Sequence, residues 1–346
     1  MIDSKNTVRA NELLQFMLTD TNLMERMAAS DALSKAEGQV AHGWAHAQDV
    51  YNLTKQVAER TEALFPGTFS DFHMVCALTG ALLHDTGRAV AIKDHDKHGA
   101  RISHEYLREL GQRLHGDPKA CPADFRKRVV ALVRKHRSDS WLYSSPEEKA
   151  LRKREIDGPD IAALLIADKL CGSESRVPEA KLSFLSLTAE LDISPELKTK
   201  HGLDANWRLS RINWGNPELI SEPQEVIDAA KAVLAAKGLS VAPDLEIDGH
   251  DRVNGSIKDR VIELMAYNPP STGRFKGTMI YRIRVDERLA PQELVTGLDW
   301  WGEAFHTVAK AAKYLGFRFM IQFNDRTLQY SRRQAAWISS TSMSAN

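Results

Sequence analysis

The sequence predicts a mainly α-helical protein with a smaller α+β domain near its C-terminal end. From about residue 8 to residue 240, apolar residues return every three or four positions, which is the period of amphipathic helices. Beyond residue 256, the segments 278–285 and 317–323 alternate apolar and polar residues, which is the period of strands. The change of period indicates that two domains follow each other along the chain.

Four segments are predicted from this pattern. They are a helical domain (1–240), a linker rich in Gly, Pro, Asp and Asn (241–255), a small α+β domain of unknown role (256–330) and a disordered tail (331–346). Between the two predicted strands, helical spacing begins after Pro291 and ends at Gly316. Trp300, Trp301 and Phe305 lie in this helix, where aromatic residues at helical spacing indicate core more often than a ligand site.

Residues 177–240 are expected to complete the helical domain. The stretch 201–216, which contains Trp207 and Trp214, is equally compatible with a lid over a substrate.

Composition restricts the class of partner. The 46 Lys and Arg residues balance 46 Asp and Glu residues, so no net field attracts long nucleic acid. The N-terminal segment is charged where a signal peptide needs an apolar run, and no stretch is long enough to span a membrane. Cys76, Cys121 and Cys171 lack paired spacing and are expected to be reduced core thiols. We expect a cytoplasmic protein with no membrane partner, and homo-oligomerisation is left open.

Histidine and aspartate residues interrupt several apolar stretches. His42 and His46 are four residues apart, which on a helix places them on one face, and His46 continues into a stripe with Val50 and Val57. A single histidine on such a stripe is more often a core residue than a ligand. Two histidines in register, followed by further ionisable residues downstream, favour a site.

The segment around His84 and Asp85 is the strongest element. This pair closes an apolar helix that Gly87 breaks, so both side chains can face one ion. The pair His250-Asp251 is a useful comparison, because it lies in the polar linker and is predicted to be an exposed loop pair.

His136 and Asp168 also lie on apolar helical faces. His136 is in register with Phe125 and Val129, and Asp168 follows the stripe of Leu164 and Leu165. The basic residues near His136 are interpreted as a solvated face. A buried carboxylate needs a cation or an Arg or Lys partner, and a metal ion bound by imidazole and carboxylate satisfies that need.

The order His46, then His84-Asp85, then Asp168 resembles the HD-domain superfamily of metal-dependent phosphohydrolases. The resemblance covers roughly residues 38–176. It implies an HD-domain helical bundle in which these four residues bind metal.

A second likeness concerns the segment from His42 to Val50. It is similar to the H-N-x-x-H-A-x-D-V signature of cyclic-nucleotide phosphodiesterases, in which the first histidine is the proton donor and the second is a metal ligand. Gly43 stands where that signature has asparagine. The likeness implies that His42 is a catalytic proton donor.

A third likeness concerns the segment that begins His95-Asp-Lys-His98-Gly99. It resembles the H-x-x-x-[GS]-A segment that follows the HD pair in many family members. This spacing selects His95, with His98 as a fallback, whereas His104 is expected to be solvated. The resemblance implies that His95 and His136 bind a second metal ion.

The family's HD-x-G-K stretch ends in Arg88 here. Arginine keeps the charge and adds a bidentate fork for phosphate, so Arg88 is the main substrate-binding candidate. The equally weighted alternative is a charge that complements a helix C-terminus. Lys169 either faces the substrate or pairs with a neighbouring carboxylate.

The resemblance implies hydrolysis of a phosphomonoester or phosphodiester, with a nucleotide or another small phosphorylated metabolite as substrate. One or two divalent ions, from Mn, Fe, Zn, Ni, Co and Mg, would lower the pKa of a water ligand from about 16 toward about 7. Asp85 is expected to span both ions and is therefore counted as catalytic together with His42.

Two other functions remain open from the sequence. Some HD-fold proteins hold two irons and oxidise a polyol or a phosphonate, and histidine with carboxylate suits iron equally well. The other alternative is a nucleotide-sensing module with a weak or inactive HD site, which would bind nucleotide tightly without turnover.

Overall fold

The computed structural model describes residues 4–37, 39–137, 156–214, 222–240, 247, 249–268, 273–289, 302–324, 326–331 and 336–339. Within them the chain is mainly helical, with one small sheet in the C-terminal region, which confirms the predicted fold class. The helices are α1 (Ser4–Met17), α2 (Thr21–Ala36), α3 (Trp44–Leu64), α4 (Asp71–Leu83), α5 (His95–His115), α6 (Ala123–Lys135), α7 (Pro159–Leu170), α8 (Glu179–Ala189), α9 (Pro195–Lys200), α10 (Gln224–Ala236), α11 (Gly249–Ser256) and α12 (Gly302–Tyr314).

Helix boundaries follow local capping chemistry. The hydroxyl of Ser70 accepts a hydrogen bond from the His73 amide and so begins α4. Pro159 occupies the first position of α7, where its missing N–H costs nothing. Gly116 ends α5 in the left-handed conformation, with φ of 70°.

Two helices lie at the centre of the bundle. Most residues of α4 and α7 are buried on every side, as expected for helices that are apolar all round. α4 packs against α1, α3, α6 and α7. Because both central helices end in ionisable residues of the predicted site, the site lies at the end of the most deeply buried helices.

The sheet contains five strands in the order β1 to β5. They are β1 (Ile257–Ala266), β2 (Gly277–Val285), β3 (Phe317–Phe323), β4 (Arg326–Ser331) and β5 (Ala336–Ser339). β2 and β3 are parallel and are connected through α12, whereas all other neighbours are antiparallel. The two predicted strands are thus confirmed as β2 and β3, and β1 is an additional strand that no alternation revealed.

Two segment predictions need correction. The predicted linker 241–255 contains most of α11, and Asp251, expected in an exposed loop pair, is fully buried and accepts an ion pair from Lys181 at 2.7 Å. The predicted disordered tail 331–346 contains β5. The strand β5 pairs antiparallel with β4, so part of the predicted tail belongs to the sheet.

The sheet and the helical bundle share one hydrophobic core. Buried residues of α3, α4 and α7 belong to the same cluster as Tyr281 of β2 and Phe305 of α12. Phe305 is therefore a core residue, as predicted, whereas Trp300 and Trp301 lie outside the described residues. Trp207 and Trp214 are buried in a second apolar cluster with α10, so the described part of this stretch, 201–214, favours the alternative that it completes the helical domain. All three cysteines are buried free thiols, as expected.

Candidate metal centre

Six ionisable side chains from five helices converge at one point. His46 lies in the first turn of α3, His84 and Asp85 follow the last turn of α4, and Asp168 lies in the last turn of α7. His95 begins α5 and His136 follows α6 directly. The structure therefore brings together every residue that the sequence analysis proposed as a metal ligand.

His46, His84 and Asp168 form what we call the first cluster. The Nε2 atoms of the two histidines are 3.2 Å apart, and they lie 3.9 and 3.7 Å from Oδ1 of Asp168. Oδ2 of Asp85 is 3.4 Å from Nε2 of His46 and 3.2 Å from Nε2 of His84. The ligand atoms of His46, His84 and Asp168 lie within 4.8 Å of one another, which is close enough to share one metal ion.

Asp85, His95 and His136 form the second cluster. Oδ1 of Asp85 is 3.5 Å from Nε2 of His95 and 3.7 Å from Nε2 of His136, and the two nitrogens are 3.1 Å apart. Since Oδ2 of the same carboxylate faces the first cluster, Asp85 lies between the clusters. Asp85 is therefore placed where it could contact an ion in each cluster, and its bridging role stays a prediction.

The outward nitrogens of the histidines fix their tautomers. Nδ1 of His84 lies 2.8 Å from the Ala81 carbonyl, and Nδ1 of His136 lies 2.7 Å from the Val133 carbonyl. Nδ1 of His95 lies 2.8 Å from the Ile92 carbonyl. A carbonyl only accepts, so each Nδ1 carries the proton and each Nε2 presents a lone pair to the cluster.

His46 is oriented by a thiol instead of a carbonyl. Cys171 donates its S–H to the Asp168 carbonyl at 3.0 Å, and its sulfur lies 3.4 Å from Nδ1 of His46. Burial raises the pKa of the Cys171 thiol to about 11, so the sulfur keeps its proton near neutral pH. Because the S–H is used on Asp168, the sulfur acts as a hydrogen-bond acceptor for Nδ1 of His46, and Nε2 of His46 presents its lone pair to the cluster.

These tautomers test whether the residues fit a cation. Two lone pairs that face each other at 3.1 or 3.2 Å cannot form a hydrogen bond, so each pair of Nε2 atoms needs a cation between them. Nitrogen and carboxylate donors in this arrangement suit zinc, manganese, iron and related divalent ions. The donor set therefore fits one or two divalent metal ions.

The charges of the site agree with this donor set. Burial lowers the pKa of His46 to about 3 and that of His95 to about 4, which keeps both imidazoles neutral as ligands must be. Burial alone would raise the pKa of Asp85, but the charges of Arg88 and His84 outweigh it and lower the pKa. At His84, burial alone would lower the pKa, but the charge and hydrogen bond of Asp85, the charge of Asp168 and the Ala81 carbonyl together outweigh it and raise the pKa. The centre thus attracts positive charge, whether proton or metal.

Two glycines hold the second cluster in place. A Cβ atom on Gly87 would lie 1.9 Å from the carbonyl oxygen of His95 and 2.3 Å from the amide nitrogen of Gly99. The turn after Asp85 therefore contacts the first turn of α5 backbone to backbone. This contact explains why small residues occur at both positions.

The proposed substrate-binding cations contact the two carboxylates. Nε of Arg88 donates to Oδ1 of Asp85 at 2.8 Å, and its Nη1 donates to the Gln39 side chain. Lys169 donates to Oδ2 of Asp168 at 2.6 Å. Lys169 thus takes the pairing role that was one of its two alternatives, and Arg88 lies at the centre of the site and not at a solvated helix end.

His42 differs from its predicted position. It precedes α3, with Gly43 as the N-cap, so His42 and His46 do not share one helix although their rings are 5.4 Å apart. Nδ1 of His42 lies 2.5 Å from the Val40 carbonyl, which leaves Nε2 to accept from Arg176 at 2.9 Å. Burial lowers the pKa of His42 well below its ordinary value. In this arrangement His42 is a neutral acceptor, and its role as proton donor stays a prediction.

The space beside Gly43 is taken by an aspartate from another helix. A Cβ on Gly43 would lie 3.1 Å from the Cβ of Asp31 in α2, and Asp31 also accepts from the His42 amide at 3.0 Å. Asp31 therefore occupies the space next to the position where the phosphodiesterase signature has asparagine.

Three neighbours of the site carry no local sequence signal. Arg176 donates to His42 and to the Ala41 carbonyl, Cys171 supports His46, and Gln39 supports Arg88. Each contacts a partner at least 49 positions away in sequence. His104, by contrast, is exposed as predicted, and His98 lies outside both clusters.

Fold and site together define a mainly helical protein with a candidate centre for two metal ions. In a comparison with protein-family models, residues 43–171 match the HD domain. This segment contains all six clustered residues, and the match confirms the resemblance to the HD-domain superfamily of metal-dependent hydrolases. Comparisons with curated proteins and with solved structures returned no match. Among the described helices, none combines the length and the hydrophobicity that a membrane span requires.

Proposed function

We propose that the protein is a metal-dependent phosphohydrolase that cleaves a phosphate ester of a nucleotide or another small phosphorylated metabolite. The observation that carries this proposal is the position of Asp85. Its two oxygens face two separate pairs of histidine nitrogens, while Arg88 contacts the same carboxylate. A carboxylate shared by two clusters of metal-binding residues, with a guanidinium beside it, is suited to a site that holds a phosphoryl group for attack by water.

The ligands of the two ions follow from the clusters. His46, His84 and Asp168 would hold one divalent ion, His95 and His136 would hold the other, and Asp85 would contact both. Ions bound there would polarise phosphoryl oxygens and supply a nucleophilic water near neutral pH. The carbonyls and the thiol behind the histidines keep each Nε2 aimed at the centre.

The balance of charges favours an anionic substrate. Arg88, Lys169 and Arg176 contribute three positive charges next to the two carboxylates Asp85 and Asp168. These five side chains together carry one net positive charge, and each bound divalent ion would add two more. A dianionic phosphomonoester compensates this surplus better than a monoanionic phosphodiester does, so we expect monoesters to be the preferred class.

The residues at the other side of the site suggest how a leaving group is protonated. Arg176 and His42 face each other, and His42 is the proposed proton donor. An anionic group that draws the Arg176 guanidinium toward itself would release Nε2 of His42. The freed Nε2 would take up a proton from solvent and deliver it to the leaving oxygen.

The test is turnover of a panel of nucleotides, sugar phosphates and phosphodiesters by metal-stripped protein reloaded separately with Mn, Mg, Zn, Ni, Co or Fe. Asp85→Ala removes the shared carboxylate. Asp160→Asn is the matched control, because Asp160 is also fully buried and paired with an arginine, at 2.5 Å, but lies away from the clusters. Metal-dependent phosphate release that Asp85→Ala abolishes and Asp160→Asn retains supports the proposal.

The same donor set supports a second candidate, an HD-fold di-iron oxygenase. The observation that favours it is the presence of the His95 and His136 pair, which completes a two-metal set. Protein that purifies with iron, hydrolyses nothing on the panel and consumes oxygen with a polyol or a phosphonate would refute the hydrolase and support the oxygenase. Tight nucleotide binding without turnover would instead indicate the sensing module.

A further inference from the structure

The segment that leaves α7 connects several parts of the candidate centre. Asp168 lies just before its start, Cys171 supports His46, and Arg176 contacts His42 at its end. Between them, residues 172–175 carry no side chain that contacts a clustered residue in the described contacts. Contacts with other parts of the chain therefore help to set the path between Asp168 and Arg176; one of them is the Ala41 amide, which donates to the Arg176 carbonyl at 2.8 Å.

Side chains of the C-terminal part of the chain contact this segment residue by residue. The hydroxyl of Tyr281 donates to the Leu170 carbonyl at 2.9 Å in the buried interior. The Ser173 amide donates to the side chain of Asn254 at 3.1 Å. Lys258 forms an ion pair with Glu174 at 2.7 Å. These contacts join β1, β2 and α11 to neighbouring residues of the segment behind the metal site.

Arg260 of β1 makes the most informative of these contacts. One of its terminal nitrogens donates to the Gly172 carbonyl, and the other donates to Oδ2 of Asp49 at 3.0 Å. Its side chain is only 16% exposed. A planar guanidinium has its donors in a fixed geometry, so Arg260 sets the distance between the two groups that it joins.

The two groups lie on or just after two of the three helices that carry the first cluster, α3 and α7. Asp49 lies on α3, three residues after His46, and Gly172 lies four residues after Asp168. β1 is itself held against α3, because Gln56 and Arg60 both donate to the Ile262 carbonyl. Among the described contacts, the second cluster has no equivalent link to the sheet, since its histidines come from α5 and α6.

We propose that Arg260 is a positioning residue that ties α3 to the segment after α7 and so sets the spacing of His46 and Asp168. The inference rests on the proposed metal centre, and it gives the C-terminal α+β region a role in the site. A residue that orients ligands from outside the coordination sphere commonly affects metal affinity by about 10- to 100-fold. Its loss should therefore weaken the first cluster selectively.

The experiment measures binding of Co²⁺ alone to metal-stripped full-length protein by calorimetric titration. Asp168→Ala and His136→Ala assign the binding steps to the first and second clusters. Arg260→Ala is compared with Arg282→Ala, in which another arginine of the sheet loses its ion pair with Glu263 at 2.8 Å. Arg260 pairs with Ile283 on β2 and shares its face of the sheet. Arg282 is the residue before Ile283, so its side chain points to the opposite face.

We expect Arg260→Ala to weaken the first-cluster step at least tenfold, to leave the second-cluster step unchanged and to be partly rescued by Arg260→Lys. Arg282→Ala should leave both steps unchanged. Equal weakening of both steps, or none, would overturn the inference, because general destabilisation has no reason to select one cluster. Should Arg260→Ala fail to fold, Asp49→Ala removes the partner of Arg260 on α3, at a side chain that is 39% exposed. Selective weakening of the first-cluster step in Asp49→Ala would then support the inference, and equal or no weakening would overturn it. If wild-type protein binds Co²⁺ but hydrolyses no phosphoester, the proposed function is contradicted and the inference about Arg260 is not affected.

Discussion

Replacement of Gly87 by alanine should disrupt the second cluster while leaving the first intact. The added Cβ would lie 1.9 Å from the His95 carbonyl oxygen, about 1.1 Å closer than the 3.0 Å below which real Cβ contacts essentially never occur. The obstacle is backbone, so no side-chain rotation relieves it. The first turn of α5 must therefore move away from the turn that carries Asp85, and His95 moves with it.

The size of this displacement determines the effect. Metal-ligand distances vary by only about 0.2 Å, so a shift of about 1 Å removes His95 as a ligand. Misplacement by that amount also reduces catalysis by about 100-fold in well-ordered sites. Overpacking of this kind costs about 1–3 kcal/mol of folding free energy. We expect a folded but less stable protein that retains Co²⁺ binding at the first cluster and loses it at the second.

The control is Gly67→Ala. Gly67 has φ of 85°, and a Cβ added there would meet nothing within 4 Å, so alanine causes backbone strain of about 1–2 kcal/mol without touching the site. Comparison of the two variants separates lost stability from lost geometry. Two full binding steps and wild-type turnover in Gly87→Ala would refute the reasoning that backbone contact at Gly87 positions His95.

Three further predictions concern single side chains. Arg88→Ala should raise KM for the best phosphoester at least tenfold in steady-state kinetics, with Arg88→Lys intermediate, and unchanged values would remove Arg88 from substrate binding. Because burial raises the pKa of Cys171 to about 11, a thiol reagent at pH 8 should not label this thiol in native protein, whereas labelling before unfolding would show that it is accessible. Burial alone would raise the pKa of Asp20, but hydrogen bonds from Arg113 and Tyr106 outweigh it and lower the pKa, so the pair stabilises the fold above about pH 4 and loses this effect as pH falls further. Asp20→Asn should cost about 3 kcal/mol in urea unfolding at pH 7 and less at pH 3, and an equal cost at both would contradict the assignment.

Burial of ionisable residues is the signal that made the candidate ligands predictable. His46, His84, Asp85, His136 and Asp168 each interrupt an apolar helical stripe, and a stripe predicts which direction a side chain faces. Convergence of five helix ends on one point is a tertiary property. The prediction of this convergence came from the resemblance to a known family and not from the spacing of residues within any one helix.

Residues outside the apolar stripes were harder to predict. His42 lies before α3 because Gly43 begins the helix, and four-residue spacing alone cannot distinguish a helical pair from one that straddles an N-cap. β1 was missed because its buried and exposed positions do not alternate strictly, with the pattern disturbed near the irregular pairing at Ile257 and Asp259. Asp251 was placed in solvent because its polar neighbours gave no sign that Lys181 would pair with it.

Residues beyond the end of the matched domain contact the candidate site, and sequence patterns within short windows do not predict these contacts. The HD match ends at residue 171, yet Arg176 contacts His42 and Arg260 contacts both Gly172 and Asp49. These contacts join positions separated by 134, 88 and 211 residues, so no window along the sequence contains both partners. The ligands are defined by the helices that carry them, whereas their spacing depends on how the later sheet packs against those helices. The α+β region is therefore better understood as part of the site's supporting structure than as an independent appendage.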